Sequence, residues 1–113
     1  MGDKWRVVYY VSLSGSNPVR DFLDSNIRVK IKAQRILLNI KEYGLVSVIP
    51  HTKKLTGTPL WEIRILGEES TRILYVTRGE KTILLLHAFM KRTNKTPLKE
   101  INTALKRLNE MAA

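Results

Sequence analysis

The second half of the chain alternates between apolar and polar side chains, which predicts consecutive β-strands. Residues 60–66 and 71–78 both alternate, whereas residues 81–89 are apolar on both faces. Turn-forming segments at residues 67–70 and 79–80 separate these three stretches. The pattern predicts an antiparallel meander whose last strand is central and buried on both faces.

The first half of the chain predicts one strand followed by two helices. Residues 5–11 are rich in β-branched and aromatic side chains and predict a strand. Asn17 and Pro18 supply an N-cap and a first helical residue for a short helix that ends near residue 26. Residues 27–43 predict a longer helix that stops at Gly44, and residues 45–59 are expected to be connecting chain.

The end of the chain predicts a further helix. Thr96 and Pro97 repeat the N-cap and proline signal, and the helix is expected to continue to about Met111. Its apolar stripe consists of Leu98, Ile101, Leu105 and Leu108. The predicted order is therefore β-α-α-β-β-β-α in a single domain, residues 1–113. This is an α+β fold with a small antiparallel sheet, an N-terminal helical pair and a C-terminal helix. We expect the helices to cover one face of the sheet and leave the other open.

Composition adds a large positive charge to this picture. The 113 residues include 20 Lys and Arg against 10 Asp and Glu, giving a formal charge of +10. Such a charge attracts a polyanion, and nucleic acid, an anionic membrane surface or an acidic protein would fit. The absence of cysteine excludes disulfides and thiolate chemistry. The apolar run at residues 7–11 is too short for a signal peptide or a membrane span, so we expect a cytoplasmic protein without membrane contact.

Two arginines on adjacent predicted strands form the best candidate site. Alternation places Arg64 and Arg72 each opposite the apolar side chains of its own strand. If both apolar sets face the helices, the two guanidinium groups emerge together on the open face, where they can grip a phosphate. Further basic residues flank that face: Lys53, Lys54, Lys91, Arg92 and Lys95. The alternative is purely structural, with both arginines solvated or paired with Glu62 or Glu68.

The histidines and aromatic residues leave alternatives open. His87 is either a half-buried strand residue, sharing a face with Ile83 and Leu85, or an acid or base beside the arginines. Phe89 could stack on a base, whereas the strand position of Trp61 favours the core. The only other histidine, His51, lies in the connecting chain. Two histidines make a poor metal site when no carboxylate cluster accompanies them, and we expect no cofactor.

Five segments follow one another in order along the chain. They are KLTG at residues 54–57, LWEIR at 60–64, TRILY at 71–75, HAFMKRT at 87–93, and TP at 96–97 followed by Glu100, Ile101 and Ala104. This series resembles the RelE/ParE toxin superfamily, and within it the HigB branch of phage-derived Gp49-like proteins. The resemblance covers residues 53 to about 110 by motif and residues 5–45 by pattern.

The resemblance implies a microbial RNase-like fold and the toxin of a type II toxin–antitoxin pair. Such toxins enter the ribosomal A site and cut messenger RNA there without a metal, by attack of the RNA 2′-hydroxyl on the adjacent phosphate. Their antitoxins are expected to carry a helix-turn-helix domain. By position, Arg72 matches the arginine that grips the phosphate. Other basic positions of the family correspond to Lys54, Arg64, Lys91 and Arg92.

The proton-transfer group implied by the resemblance is left open. Some relatives use a tyrosine near the last helix, where this chain has Leu98. Others use a histidine or aspartate near the end of the central strand, and His87 is the candidate there. A lysine with a lowered pKa, Lys91 or Lys54, is a third possibility. Two other functions also stay open: a ParE-like toxin that inhibits DNA gyrase, and a non-catalytic module that binds RNA or the ribosome.

Overall fold

A mixed β-sheet lies between two helical layers in the computed structural model, which describes residues 4–65, 67 and 70–112. The strands are β1 (Arg6–Tyr9), β2 (Thr52–Lys54), β3 (Trp61–Ile65), β4 (Thr71–Arg78) and β5 (Thr82–Met90). The helices are α1 (Pro18–Asp24), α2 (Ile27–Tyr43) and α3 (Leu98–Ala112), with a 3₁₀ helix at Leu45–His51. The strand order of the sheet is β1-β5-β4-β3-β2.

The predicted meander is confirmed, with one addition at each edge of the sheet. β3, β4 and β5 pair antiparallel in sequence order, and β5 lies in the interior of the sheet. β1 pairs parallel with β5, which makes the sheet mixed. The short β2 pairs with β3 inside the segment expected to be connecting chain. Its three residues, Thr-Lys-Lys, are too few and too polar to produce an alternating signal.

Polar caps and a glycine set the limits of the two N-terminal helices. The Asn17 side chain accepts a hydrogen bond from the Arg20 backbone N–H, as expected of an N-cap before Pro18. Asn26, placed by the sequence pattern at the end of the first helix, instead caps α2. α2 ends at Gly44, where φ is +81° and an added Cβ would lie 2.8 Å from the indole nitrogen of Trp5.

Two hydrophobic cores hold the layers together, one on each face of the sheet. The first packs α1 and α2 against side chains such as Ile63, Ile73 and Leu85, and Trp61 packs against it as predicted. Burial of each such side chain stabilises the fold by roughly 1.5–3 kcal/mol. The second core packs α3 against the opposite face. The expectation of an open second face is therefore wrong over this part of the sheet, because the apolar stripe of α3 needs an apolar surface to cover.

A β-bulge changes the faces of the central strand. Leu74 pairs with His87 and Tyr75 pairs with Leu85, so Leu86 has no partner in the register between β4 and β5. The extra residue moves His87 off the face of Ile83 and Leu85. The expectation that these three residues share a face is wrong, because alternation cannot reveal a bulge. Three predicted features fall partly outside the described residues. They are the end of the strand at Leu66, the turn at residues 67–70 and the ion pair with Glu68.

Candidate active site

The register between β3 and β4 brings the two predicted arginines together. Arg64 and Arg72 are direct cross-strand partners near the end of the hairpin. In the next row of the same face, Lys53 on β2 is the partner of Glu62 on β3. Like charges placed directly opposite one another are unfavourable. A cross-strand arginine pair therefore needs a compensating anion nearby, either from the protein or from a ligand.

A polar pocket of about 500 Å³ surrounds this arginine pair. Its lining residues are Lys53, Glu62, Arg64, Ser70, Arg72, Lys91, Arg92, Thr93 and Asn94. We call it the basic pocket, since five of these side chains are cationic and one is a carboxylate. The five cations come from β2, β3, β4 and the two residues just after β5, so the charge is carried on or beside the sheet. Such a surplus of positive charge attracts an anionic ligand.

The carboxylate of Glu62 lies fully buried beneath these cations, with an exposed fraction of 0%. Its Oε1 accepts a hydrogen bond of 2.6 Å from the Thr96 hydroxyl, in the loop before α3. Its Oε2 lies 3.3 Å from Arg72 Nε and 3.9 Å from Lys91 Nζ. These are ion-pair distances, but Glu62 Oε2 and Arg72 Nε are both buried without a hydrogen-bond partner. The opposite charges therefore compensate one another, while both of these atoms still lack a hydrogen bond.

Backbone carbonyls orient the two arginines. Arg72 donates from Nη1 to the Thr71 carbonyl over 3.2 Å, and its side chain is only 13% exposed. Arg64 donates from Nη2 to the carbonyl of Pro50, also over 3.2 Å, while its buried Nε has no hydrogen-bond partner. Each guanidinium is therefore held by one part of its fork, which is a suitable arrangement for binding a phosphate with the remainder.

Lys91 reaches the basic pocket from the residue immediately after β5. Its backbone N–H donates to the Ser70 carbonyl over 2.7 Å, and its side chain is 8% exposed. Burial lowers the pKa of Lys91, and the positive charges of Arg72, Lys53 and Arg64 lower it further, while Glu62 acts in the opposite direction. A lysine of this kind can lose its proton more readily than an exposed one.

The structure brings five of the nine predicted site residues into the basic pocket: Lys53, Arg64, Arg72, Lys91 and Arg92. Lys54 and Lys95 are exposed and lie outside its lining. Lys54 follows Lys53 on β2 and so points to the opposite face, where its ammonium group donates to the Thr58 carbonyl. Lys54 was expected at this site because the segment was interpreted as a loop, in which alternation does not apply.

His87 also lies outside the lining of the basic pocket. Its Nε2 is 2.8 Å from Glu100 Oε1 and its Nδ1 is 3.1 Å from Arg107 Nη1, so α3 engages both ring nitrogens. Burial lowers the pKa of His87, although the hydrogen bond to Glu100 raises it in part. The bulge and α3 together direct this ring toward the helix.

Phe89 does not offer the exposed ring that stacking on a base requires. Only 5% of the residue is exposed, and it belongs to the core beneath α3. Its ring stacks on His87 with 5.4 Å between the centroids. The expected base-stacking role of Phe89 is therefore corrected to a packing role, because α3 covers the part of the sheet on which it stands.

Sequence reasoning missed two residues that shape the pocket. Glu62 was considered only as a structural partner of the arginines, although its place two residues before Arg64 puts it on the same face. Thr96 was expected to cap α3, but the helix begins at Leu98 and the Thr96 hydroxyl donates to Glu62. No local pattern signals that contact, since it joins residues 34 positions apart.

The described part of the chain contains no group of three or more His, Asp or Glu side chains that could hold a metal ion. None of its helices is long and apolar enough to cross a membrane. A family model described as "Phage derived protein Gp49-like (DUF891)" matches residues 20–109. Comparison with curated proteins finds no match. The matched range contains every residue that lines the basic pocket.

Proposed function

Because this chain belongs to the phage-derived Gp49-like family, which is a family of RelE/HigB-like toxins, we propose that it is a ribosome-dependent messenger RNA endoribonuclease. The family suggests the toxin of a toxin–antitoxin pair. The substrate would be messenger RNA in the ribosomal A site, and the regulator would be a cognate antitoxin with a helix-turn-helix domain.

The observation that carries this proposal is the basic pocket itself. Two arginines, Arg64 and Arg72, are cross-strand partners, and the largely buried side chain of Lys91 completes the group from the residue after β5. Cations fixed on a sheet need little reorganisation when charge develops on a phosphate, which makes them effective at stabilising a transition state. Lys91 lines the same pocket, and burial lowers its pKa, so it adds a candidate proton acceptor beside the arginines.

The proposed reaction is an attack of the RNA 2′-oxygen on the adjacent phosphorus. The bond between the 2′-oxygen and phosphorus forms, the bond to the 5′-oxygen breaks, and the products are a 2′,3′-cyclic phosphate and a 5′-hydroxyl end. Arg72 and Arg64 neutralise the charge that builds on the phosphoryl oxygens. Neutral Lys91 accepts the proton of the 2′-hydroxyl, and water supplies a proton to the leaving 5′-oxygen. The hydroxide formed from that water then takes the proton from Lys91, which returns the lysine to its neutral form.

Lys91 is assigned the proton-transfer role in preference to His87 for a geometric reason. Lys91 lines the basic pocket, whereas both nitrogens of His87 are occupied by Glu100 and Arg107. Deprotonation of Lys91 would also leave two permanently charged arginines for the phosphate. Since side chains of this protein stabilise the developing charge and accept the 2′-hydroxyl proton, the proposed reaction uses no metal.

Induced expression in a bacterial host, followed by mapping of messenger RNA 5′ ends, tests this function. We expect growth arrest with new 5′ ends inside open reading frames. Arg72→Ala should abolish both effects, whereas Arg78→Ala, an exposed arginine on the same strand, should retain them. Growth arrest with intact messages would remove the ribonuclease and direct attention to gyrase. Binding to RNA without cleavage or arrest would leave a non-catalytic module.

A further inference from the structure

Glu62 is a buried negative charge in a pocket whose purpose would be to bind another negative charge. A buried carboxylate is costly unless cations and hydrogen bonds compensate it. Here Oε1 has one hydrogen bond, from Thr96, and Oε2 has none. An apolar side chain at this position would avoid the cost and leave the pocket more attractive to phosphate. The carboxylate therefore calls for an explanation beyond packing.

The position of Glu62 joins three elements at one point. Its carboxylate meets Arg72 from β4 at 3.3 Å, Lys91 from the end of β5 at 3.9 Å, and Thr96 from the start of α3 at 2.6 Å. Arg72 is its diagonal neighbour across the sheet, since Arg72 is paired with Arg64 two residues further along β3. Glu62 thus supplies the anion that the cross-strand arginine pair requires when no ligand is bound.

We propose that Glu62 is the positioning residue of the ribonuclease site, holding the Arg72 guanidinium and the Lys91 side-chain nitrogen in their working places and fixing both relative to α3 through Thr96. This inference rests on the proposed function. Although Glu62 contributes to the lining of the basic pocket, its side chain is fully buried beneath the cations, so its role is assigned through them and not through contact with the substrate. It acts through Arg72 and Lys91.

One consequence concerns the balance between binding and chemistry. Loss of the carboxylate charge makes the basic pocket more positive, so ground-state attraction for RNA should stay equal or increase. The side chains of Arg72 and Lys91 would no longer be held in place, so stabilisation of the transition state should fall. Glu62→Gln is therefore expected to lower kcat by about 10²-fold, the cost of a misplacement near 1 Å, while KM stays equal or decreases.

A second consequence concerns pH. Among the described residues, the charged groups that shift the Lys91 pKa are Glu62 and Arg64 from β3, Arg72 from β4 and Lys53 from β2. Of these, Glu62 alone raises the Lys91 pKa. If neutral Lys91 accepts the proton, the rate rises as pH rises through that pKa. Removal of the Glu62 charge lowers the pKa, so the rising part of the kcat profile should move to lower pH.

Cleavage of messenger RNA on isolated ribosomes, measured for the wild type and for Glu62→Gln from pH 6 to 9, tests this role. Thr96→Val is the matched control, because it removes the tether to α3 but keeps the carboxylate charge. We expect Glu62→Gln to lower kcat with KM retained and to shift the profile to lower pH. Thr96→Val should lower kcat less and should not move the profile to lower pH.

The outcomes separate the positioning role from the function beneath it. A wild-type protein that leaves ribosome-bound message intact overturns the proposed ribonuclease itself. If the wild type cleaves and Glu62→Gln retains both its kcat and its pH profile, the ribonuclease stands and the positioning role is overturned. Equal losses of kcat and RNA affinity, without a pH shift, would also overturn it in favour of a merely structural carboxylate.

If Glu62→Gln does not fold, Glu62→Asp decides, since it keeps the charge but withdraws it by one methylene. Reduced kcat at retained KM supports the role, and unchanged kcat overturns it.

Discussion

Two polar clusters lie on the face of the sheet that α3 covers. They differ in how fully their polar atoms are hydrogen-bonded. In the first, the pocket cluster, Glu62 Oε2 and the Nε atoms of Arg64 and Arg72 are buried without hydrogen-bond partners. In the second, the clamp cluster, both nitrogens of His87 are bonded, to Glu100 at 2.8 Å and to Arg107 at 3.1 Å. The same layer of the fold therefore contains one satisfied network and one unsatisfied one.

The bonding of the clamp cluster assigns the state of its histidine. Arg107 can only donate, so His87 Nδ1 accepts and Nε2 carries the proton that is donated to Glu100. Arg107 Nη1 also donates to the Leu86 carbonyl over 2.9 Å, and its guanidinium carbon lies 5.3 Å from the ring centre of Tyr10. This neutral tautomer agrees with the lowered pKa of His87. The clamp cluster fastens α3 to the bulge in β5.

Hydrogen-bonding capacity left unused in a buried site is therefore a better guide to function than charge alone. Buried polar groups in native proteins are nearly always bonded, and exceptions need a reason. A satisfied network such as the clamp cluster rigidifies one arrangement. The pocket cluster keeps its cations close to an accessible cavity with donors unfilled, which is the state in which a phosphate can complete the bonding.

Replacing Arg64 of the pocket cluster by alanine should have the greatest effect on cleavage among the substitutions that compare the two clusters. Arg64→Ala should lower kcat for messenger RNA cleavage by about 10²–10³-fold, the usual loss on removal of one donor to developing charge. Its stability should change little, because the repulsion of the arginine pair is removed at the same time. Urea unfolding and ribosomal cleavage, measured on the same preparation, check both statements.

Arg107→Ala is the matched variant, and the opposite result is expected for it. It removes a donor to the Leu86 carbonyl and to His87, so the urea midpoint should fall while kcat of the folded protein is retained. Loss of kcat without loss of stability in Arg107→Ala would mean that the clamp cluster, and not the pocket cluster alone, serves the chemistry.

Sequence alone predicted the part of this comparison that depends on alternation. Arg64 and Arg72 each stand next to apolar residues that point into the core, so alternation turns both arginines to the other face. The two strands are neighbours in the meander, which brings the arginines together. His87 was placed on the wrong face because one extra residue, Leu86, reverses the alternation beyond it. A bulge leaves no mark in the pattern of apolar positions.

The interior of the pocket cluster depends on contacts between distant segments, which a pattern cannot supply. Glu62 is recognisable as a residue on the arginine face, but its burial follows from Thr96 and Lys91 closing over it. The position of α3 also had to come from the structure. An amphipathic stripe shows that a helix covers something, not which face of the sheet it covers.

A smaller effect is expected from removal of the histidine. His87→Ala leaves the partly buried Glu100 and Arg107 without their shared partner, and we expect it to lower the free energy of unfolding by about 1–3 kcal/mol. Cleavage per folded molecule should be unchanged, since His87 lies outside the basic pocket. Urea denaturation gives the first quantity, and ribosomal cleavage normalised to folded protein gives the second. A stable variant that no longer cleaves would return the proton-transfer role to His87.

The smallest effect in this series is a dependence of stability on pH that belongs to the clamp cluster. The pKa of His87 is lowered from its usual value of 6.5 in the folded protein, chiefly by burial, with Glu100 and Arg107 as its charged neighbours. The unfolded chain therefore takes up the proton first as pH falls, so this contribution to stability is complete above pH 6.5 and is lost below it. Urea midpoints at pH 7.5 and 5.5 should show a decrease in the wild type and a smaller one in His87→Ala. Equal decreases in both proteins would mean that the acid sensitivity arises elsewhere in the molecule. The claim that the clamp cluster depends on a neutral histidine would then fail.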